Sequence, residues 1–101
     1  MLIRIVRMTF QLEKVPLFLE IFEESKNKIR ATNGCIFLEL WQDLENPCVF
    51  MTHSHWSSAE DLENYRHSEF FKATWAKTKL LFEEKPLAFS SAIISHTKES
   101  S

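Results

Sequence analysis

Residues 33–56 read NGCIFLELWQDLENPCVFMTHSHW. Asn33-Gly34 suits the left-handed end of a helix, and Gly34 is the only glycine in the chain. From Cys35 to Asp43 the side chains alternate, with Ile36, Leu38 and Leu40 on one face and Phe37, Glu39 and Trp41 on the other. Leu44-Glu45-Asn46-Pro47 is a turn, and Cys48–Trp56 is the returning strand of a hairpin. Both faces of this hairpin are rich in apolar and aromatic residues. A sheet with one wet face would show a cleaner alternation.

Residues 2–10 before this hairpin read as a strand, with Ile3, Ile5 and Arg7 on one face and Leu2, Val6, Met8 and Phe10 mostly on the other. A helix is predicted from about Val15, with Pro16 in its first turn and an apolar stripe of Val15, Phe18, Leu19, Phe22 and Ile29. After the hairpin, Ser57-Ser58-Ala59-Glu60 matches a capping box with Ser57 as the cap. It opens a short helix carrying Leu62 and Tyr65. Ser68 can cap a further helical stretch whose apolar side is Phe71, Trp75 and Phe82 and which Pro86 stops. Leu87–Ser95 reads as a last strand, and residues 97–101 as a polar, frayed tail.

The order is β-α-β-β-α-β, which predicts an α+β, ferredoxin-like domain over residues 1–96. It would have a four-stranded antiparallel sheet with the helices on one face. The other face would be a bare apolar patch of several hundred Å². A second copy of the chain is the simplest cover, so a homodimer through the open sheet face is predicted.

Composition bounds the function. The chain has 101 residues, enough for one core, with 45% hydrophobic and 26% charged residues and a net charge of −2. Lysines and arginines are scattered among acids, so nucleic acid is disfavoured as a partner. There is no apolar run of membrane-spanning length and no signal-peptide pattern, so no membrane association and a cytoplasmic location are expected. Cys35 and Cys48 fit no zinc spacing, and a reduced pair is expected.

The stretches Asn33-Gly34-Cys35, Trp41-Gln42-Asp43 with Asn46-Pro47, Phe50 through Trp56, Ser57-Ser58-Ala59-Glu60-Asp61-Leu62, Tyr65 and Ser68-Glu69-Phe70-Phe71-Lys72 resemble the antibiotic biosynthesis monooxygenase domain family. The similarity spans residues 2–95 in order and spacing. It implies a dimeric α+β barrel. Among such proteins, some oxidise polycyclic phenols to quinones with O₂ and no metal or flavin, some degrade heme, and some act on signalling molecules. Many members have Glu where this chain has Ser54, and His where it has Tyr65. The heme-degrading members place their iron-ligating His at Trp75 and an Asn at or near Arg7, so the resemblance argues against heme degradation here.

Several residues are candidates for chemistry. His53 and His55 share a strand face, and either could be the base that ionises a phenol. The alternative is that the pair lies on the dimer face or at a sheet edge and bonds to backbone. As a metal pair they would need a third ligand, so no metal is expected. Arg7 could pair with Glu39 on the neighbouring strand, or stabilise an oxyanion. Trp56, Phe71 and Trp75 could line a substrate pocket or be plain core, and the Tyr65 hydroxyl is the best candidate to touch a substrate oxygen. The leading expectation is a cofactor-independent monooxygenase acting on an aromatic or polycyclic small molecule. The rivals are a non-catalytic small-molecule-binding or stress-response module, and a small-metabolite isomerase using Arg7 and His55.

Overall fold

The computed structural model describes residues 1–97. The strands are β1 (Leu2–Thr9), β2 (Cys35–Gln42), β3 (Val49–Trp56) and β4 (Leu87–Ala92). The helices are α1 (Val15–Arg30), α2 (Ala59–Arg66) and α3 (Glu69–Lys79), with a 3₁₀ turn at Leu12–Lys14 ahead of α1. The strands form one antiparallel sheet in the order β2-β3-β1-β4. This is the ferredoxin-like α+β arrangement predicted from the element order.

The turn into β2 depends on Gly34, whose φ of 87° is the one left-handed backbone position among the described residues. A side chain there would also collide with Asp61. Asp61 accepts a hydrogen bond from Asn33 at 3.3 Å, and the Ser57 amide donates to the Gly34 carbonyl at 2.8 Å. These bonds tie the end of α1 to the start of α2.

The core sits between the helices and one face of the sheet. Its main cluster is Met8, Phe10, Phe18, Phe50 and Leu81, with Val15, Ile21, Phe22, Leu40, Trp75 and Phe82 packed against it. Phe10 stacks on Phe18 with ring centroids 4.1 Å apart. A second cluster of Cys35, Trp56 and Leu62 includes Leu2 and Tyr65 at its margin. Burying a large apolar side chain contributes about 1.5–3 kcal/mol, so these rings dominate the stability of the covered face.

Several details differ from the sequence reading. Leu19 is 41% exposed, and Ile21 takes the inward place on α1. The cap of α2 is Ser58, whose hydroxyl accepts from the Asp61 amide at 3.1 Å. Ser57 is committed through its amide to Gly34, so the helix begins one residue later. α3 ends at Lys79, well before Pro86. Phe82 instead pairs with Phe10 in an isolated bridge, and the Glu83 amide donates to the Thr9 carbonyl at 2.8 Å, so this segment folds back over the end of β1. β4 stops at Ala92 rather than Ser95. Apart from Thr97, the predicted tail lies outside the described residues.

One irregularity sets the faces of β2. Cys35 pairs with Trp56 and Phe37 with His55, leaving Ile36 as the extra residue of a bulge. Ile36 is therefore 40% exposed and does not share a regular face with Leu38 and Leu40.

Cys35 opens β2 opposite Trp56, whereas Cys48 lies beyond the other end of the ladder, beside Phe10 through its carbonyl. At the rise of an extended strand that separates them by roughly 25 Å, far outside disulfide reach within one chain. Both are free thiols.

Candidate functional site

Strand alternation sends the even-numbered residues of β1, β3 and β4 toward the helices. Arg4, Val6 and Met8, then Thr52, Ser54 and Trp56, with Leu38 from β2 and Ala88 from β4, form the floor of a cavity of about 260 Å³. α1 contributes Phe18, Phe22 and Ile29 to its walls, α2 contributes Leu62, Tyr65 and Arg66, and α3 contributes Phe71, Thr74, Trp75 and Thr78.

One wall is a run of rings. Trp56 stacks on Tyr65 with centroids 5.1 Å apart, Tyr65 meets Phe71 edge-on at 5.1 Å, and Phe71 lies nearly parallel to Trp75 at 5.9 Å. The four aromatic residues singled out from the sequence thus meet in one place. Trp56 is held by Ser54, whose hydroxyl accepts from the indole N–H at 3.0 Å, and both residues are buried. Ser54 therefore has a structural task, holding the Trp56 indole in the cavity floor.

Tyr65 is positioned by its backbone. Its carbonyl accepts from the Ser68 amide and hydroxyl, so the start of α3 fixes the end of α2. No group among the described residues bonds its phenolic hydroxyl. Burial, with a smaller contribution from Cys35, pushes its pKa far above the ordinary value, so the phenol keeps its proton and acts as a donor. Burial likewise pushes the Cys35 thiol up, which leaves it unreactive.

His53, His55 and Arg7 do not reach this cavity. His55 is adjacent to Trp56 in β3, so the two must point to opposite faces. The histidines lie on the open face with Phe37, Glu39 and Trp41, where their Nε2 atoms are 3.0 Å apart. His53 Nδ1 is 3.6 Å from Glu39 Oε1, too long for a hydrogen bond, and it is buried without a partner. Glu39 instead accepts from the Trp41 indole N–H at 2.8 Å. Arg7 is exposed on the same face. β3 lies between β1 and β2, so Glu39 is not on a strand next to Arg7 and forms no pair with it. His67 is bonded to Glu63 on α2, away from the histidine pair. No group of three potential metal ligands comes together among the described residues.

The residue that the sequence reading missed is Arg4. It is half-buried at the cavity and donates to the Ser90 hydroxyl on β4 at 3.2 Å. Strict alternation with Val6 and Met8 would have found it. No helix among the described residues is long and apolar enough to cross a membrane.

Solved structures share this architecture. A conserved protein from Methanosarcina mazei Go1 superposes with a TM-score of 0.84 and 22% identity, covering 89% of this chain and 90% of that one. A structure described as an antibiotic biosynthesis monooxygenase gives 0.88 and 18%, covering 94% and 100%. A Mycobacterium tuberculosis protein gives 0.87 and 14%, covering 96% and 98%. At these identities the likeness concerns the fold. No curated protein matches the sequence. The family model described as antibiotic biosynthesis monooxygenase matches residues 1–77, most of the chain, and the chain therefore belongs to that family.

Proposed function

We propose that the chain works as a homodimer in which each helix-side cavity oxidises a small aromatic molecule with O₂, without a metal or flavin. The observation that carries this reading is the cavity itself, apolar and walled by Trp56, Tyr65, Phe71 and Trp75 in a chain of a monooxygenase family. Its volume of about 260 Å³ is just under the roughly 300–1,000 Å³ of typical ligand pockets. That favours one or two fused rings over a larger polycycle.

For a naphthol the reaction balances without a cofactor. The ring loses its O–H and one C–H hydrogen, a second carbonyl forms from one atom of O₂, and the other atom leaves as water. The substrate supplies the electrons. Ionisation of the phenol comes first, its proton passing to solvent water, and Arg4 with the Tyr65 hydroxyl would stabilise the resulting oxyanion.

The dimer is supported by the open face, where Trp41 is 39%, Phe89 46% and Leu87 60% exposed in the single chain. In this reading His53 and His55 serve the assembly face rather than the chemistry. One observation favours a second reading, a non-catalytic binding module. No carboxylate or imidazole among the described residues lines the cavity, so the chain brings no general base to it.

The two readings separate in one experiment. Purified protein is mixed with 1-naphthol in an oxygen electrode while tryptophan fluorescence is followed. Oxygen uptake matched by naphthoquinone formation supports the oxygenase. Saturable fluorescence quenching without uptake overturns it in favour of the binding module.

A further inference from the structure

We infer that the molecule held in this cavity carries a negative charge beside its ring, a carboxylate or comparable anion, and that Arg4 is the residue that selects it. The inference rests on the cavity being the ligand site and goes beyond that reading by naming the ligand's charge.

The argument is one of charge accounting. Two guanidinium groups line the cavity, Arg4 from β1 and Arg66 from α2, and no acid lines it among the described residues. The nearby acid is Glu63, and it is already shared. Arg66 Nη1 is 3.2 Å from Glu63 Oε2, and His67 Nδ1 is 3.4 Å from Oε1. Arg4 has only a neutral partner, the Ser90 hydroxyl. A partly buried guanidinium without a carboxylate gives up part of its hydration, and an anion in the cavity would supply the charged partner it lacks. The surroundings of Arg4 bear this out, because burial and then the proximity of Arg66 both lower its pKa, with Glu63 opposing.

The geometry then specifies the ligand. An apolar chamber walled by stacked rings takes a flat hydrocarbon body. The planar fork of Arg4 matches a carboxylate with two parallel N–H donations, and Arg4 lies on the cavity floor between Ser54 of β3 and Ser90 of β4. The Tyr65 hydroxyl adds a neutral donor. A cavity offering cationic and neutral donors, but no acid, also rejects a cationic ligand.

Isothermal titration of the full chain with 2-naphthoate and with uncharged 2-naphthalenemethanol tests this. The carboxylate is expected to bind at least tenfold more tightly. Arg4→Gln should abolish that preference by bringing the carboxylate's affinity down to the alcohol's, with an unchanged far-UV spectrum reporting that the variant is folded. Arg4→Lys should restore only part of it, since an ammonium lacks the fork. Arg66→Gln, whose cation is already paired, should shift it less than twofold. Equal binding of the two compounds to the wild-type protein overturns the inference even if Arg4→Gln does not fold, as does a preference that survives Arg4→Gln. If neither compound binds, the cavity is not a ligand site and the inference falls with that reading.

Discussion

The two faces of the one sheet are made of neighbouring residues on the same strands, yet they meet opposite environments. On the covered face Met8, Phe50 and Trp56 are 1–3% exposed and packed by three helices. On the open face Trp41 and Phe89 are 39% and 46% exposed, and Phe37 and His53 are half-buried among the rings of that same face. Apolar content alone therefore does not decide which face becomes core. The helices decide it, and within one chain they leave the second face open.

The sharpest break in the comparison is on the covered side. Phe10→Ala removes a ring that is 1% exposed and touches Phe18, Phe50 and Phe82. It should cost about 3–5 kcal/mol in urea unfolding. A loss under about 1 kcal/mol would mean that this ring is no anchor of the core.

A smaller effect is expected from Ile5→Asp in the middle of the open face, where Ile5 lies between His53 and Phe89. The far-UV spectrum should be unchanged. The dissociation constant of the dimer should rise at least tenfold, about 1.4 kcal/mol, when measured by sizing. A wild-type chain that runs as a monomer at micromolar concentration would remove the homodimer altogether.

The smallest effect is that of pH. Burial, and then the neighbouring His53, hold the His55 pKa below its ordinary 6.5, while Glu39 opposes. The folded form therefore binds fewer protons than the unfolded chain between those two values. Stability from this group is complete above pH 6.5 and is lost as the pH falls through 6.5 to the folded value. The charged groups on this face are Glu39 from β2 and Arg7 from β1, and a mate covering the pair would deepen the effect. Sizing across pH 5–8 should show dimer loss on the acid side, flattened when His53→Gln and His55→Gln are combined. An acid-side loss that persists in that double variant would place the sensitivity elsewhere.

Much of the fold was legible in residues 33–56, because period-two patterning and a lone glycine at a required positive φ leave few alternatives. The bulge at Ile36 was not legible, since nothing in the local pattern separates an extra residue from a regular one. The cap of α2 was ambiguous because Ser57 and Ser58 both fit it, and only the long-range bond from Ser57 to Gly34 decides between them. The site was half legible. Tyr65, Trp56, Phe71 and Trp75 follow from helix and strand spacing. Putting His55 in the same pocket as Trp56 conflicts with the alternation that placed Trp56 there. The importance of Arg4 depends on where Glu63 points, which is a tertiary fact.

The bulge has a consequence for how β2 can change length. Cys35 and Phe37 already pair with consecutive residues of β3 and face opposite sides. Loss of Ile36 would leave a continuous ladder with every later residue in its present register. Loss of Leu38 instead would turn Leu40 outward and Trp41 inward, exchanging core for surface along the rest of the strand. The strand thus carries a single built-in slack residue, and a one-residue deletion in β2 keeps both faces in place only when it falls there.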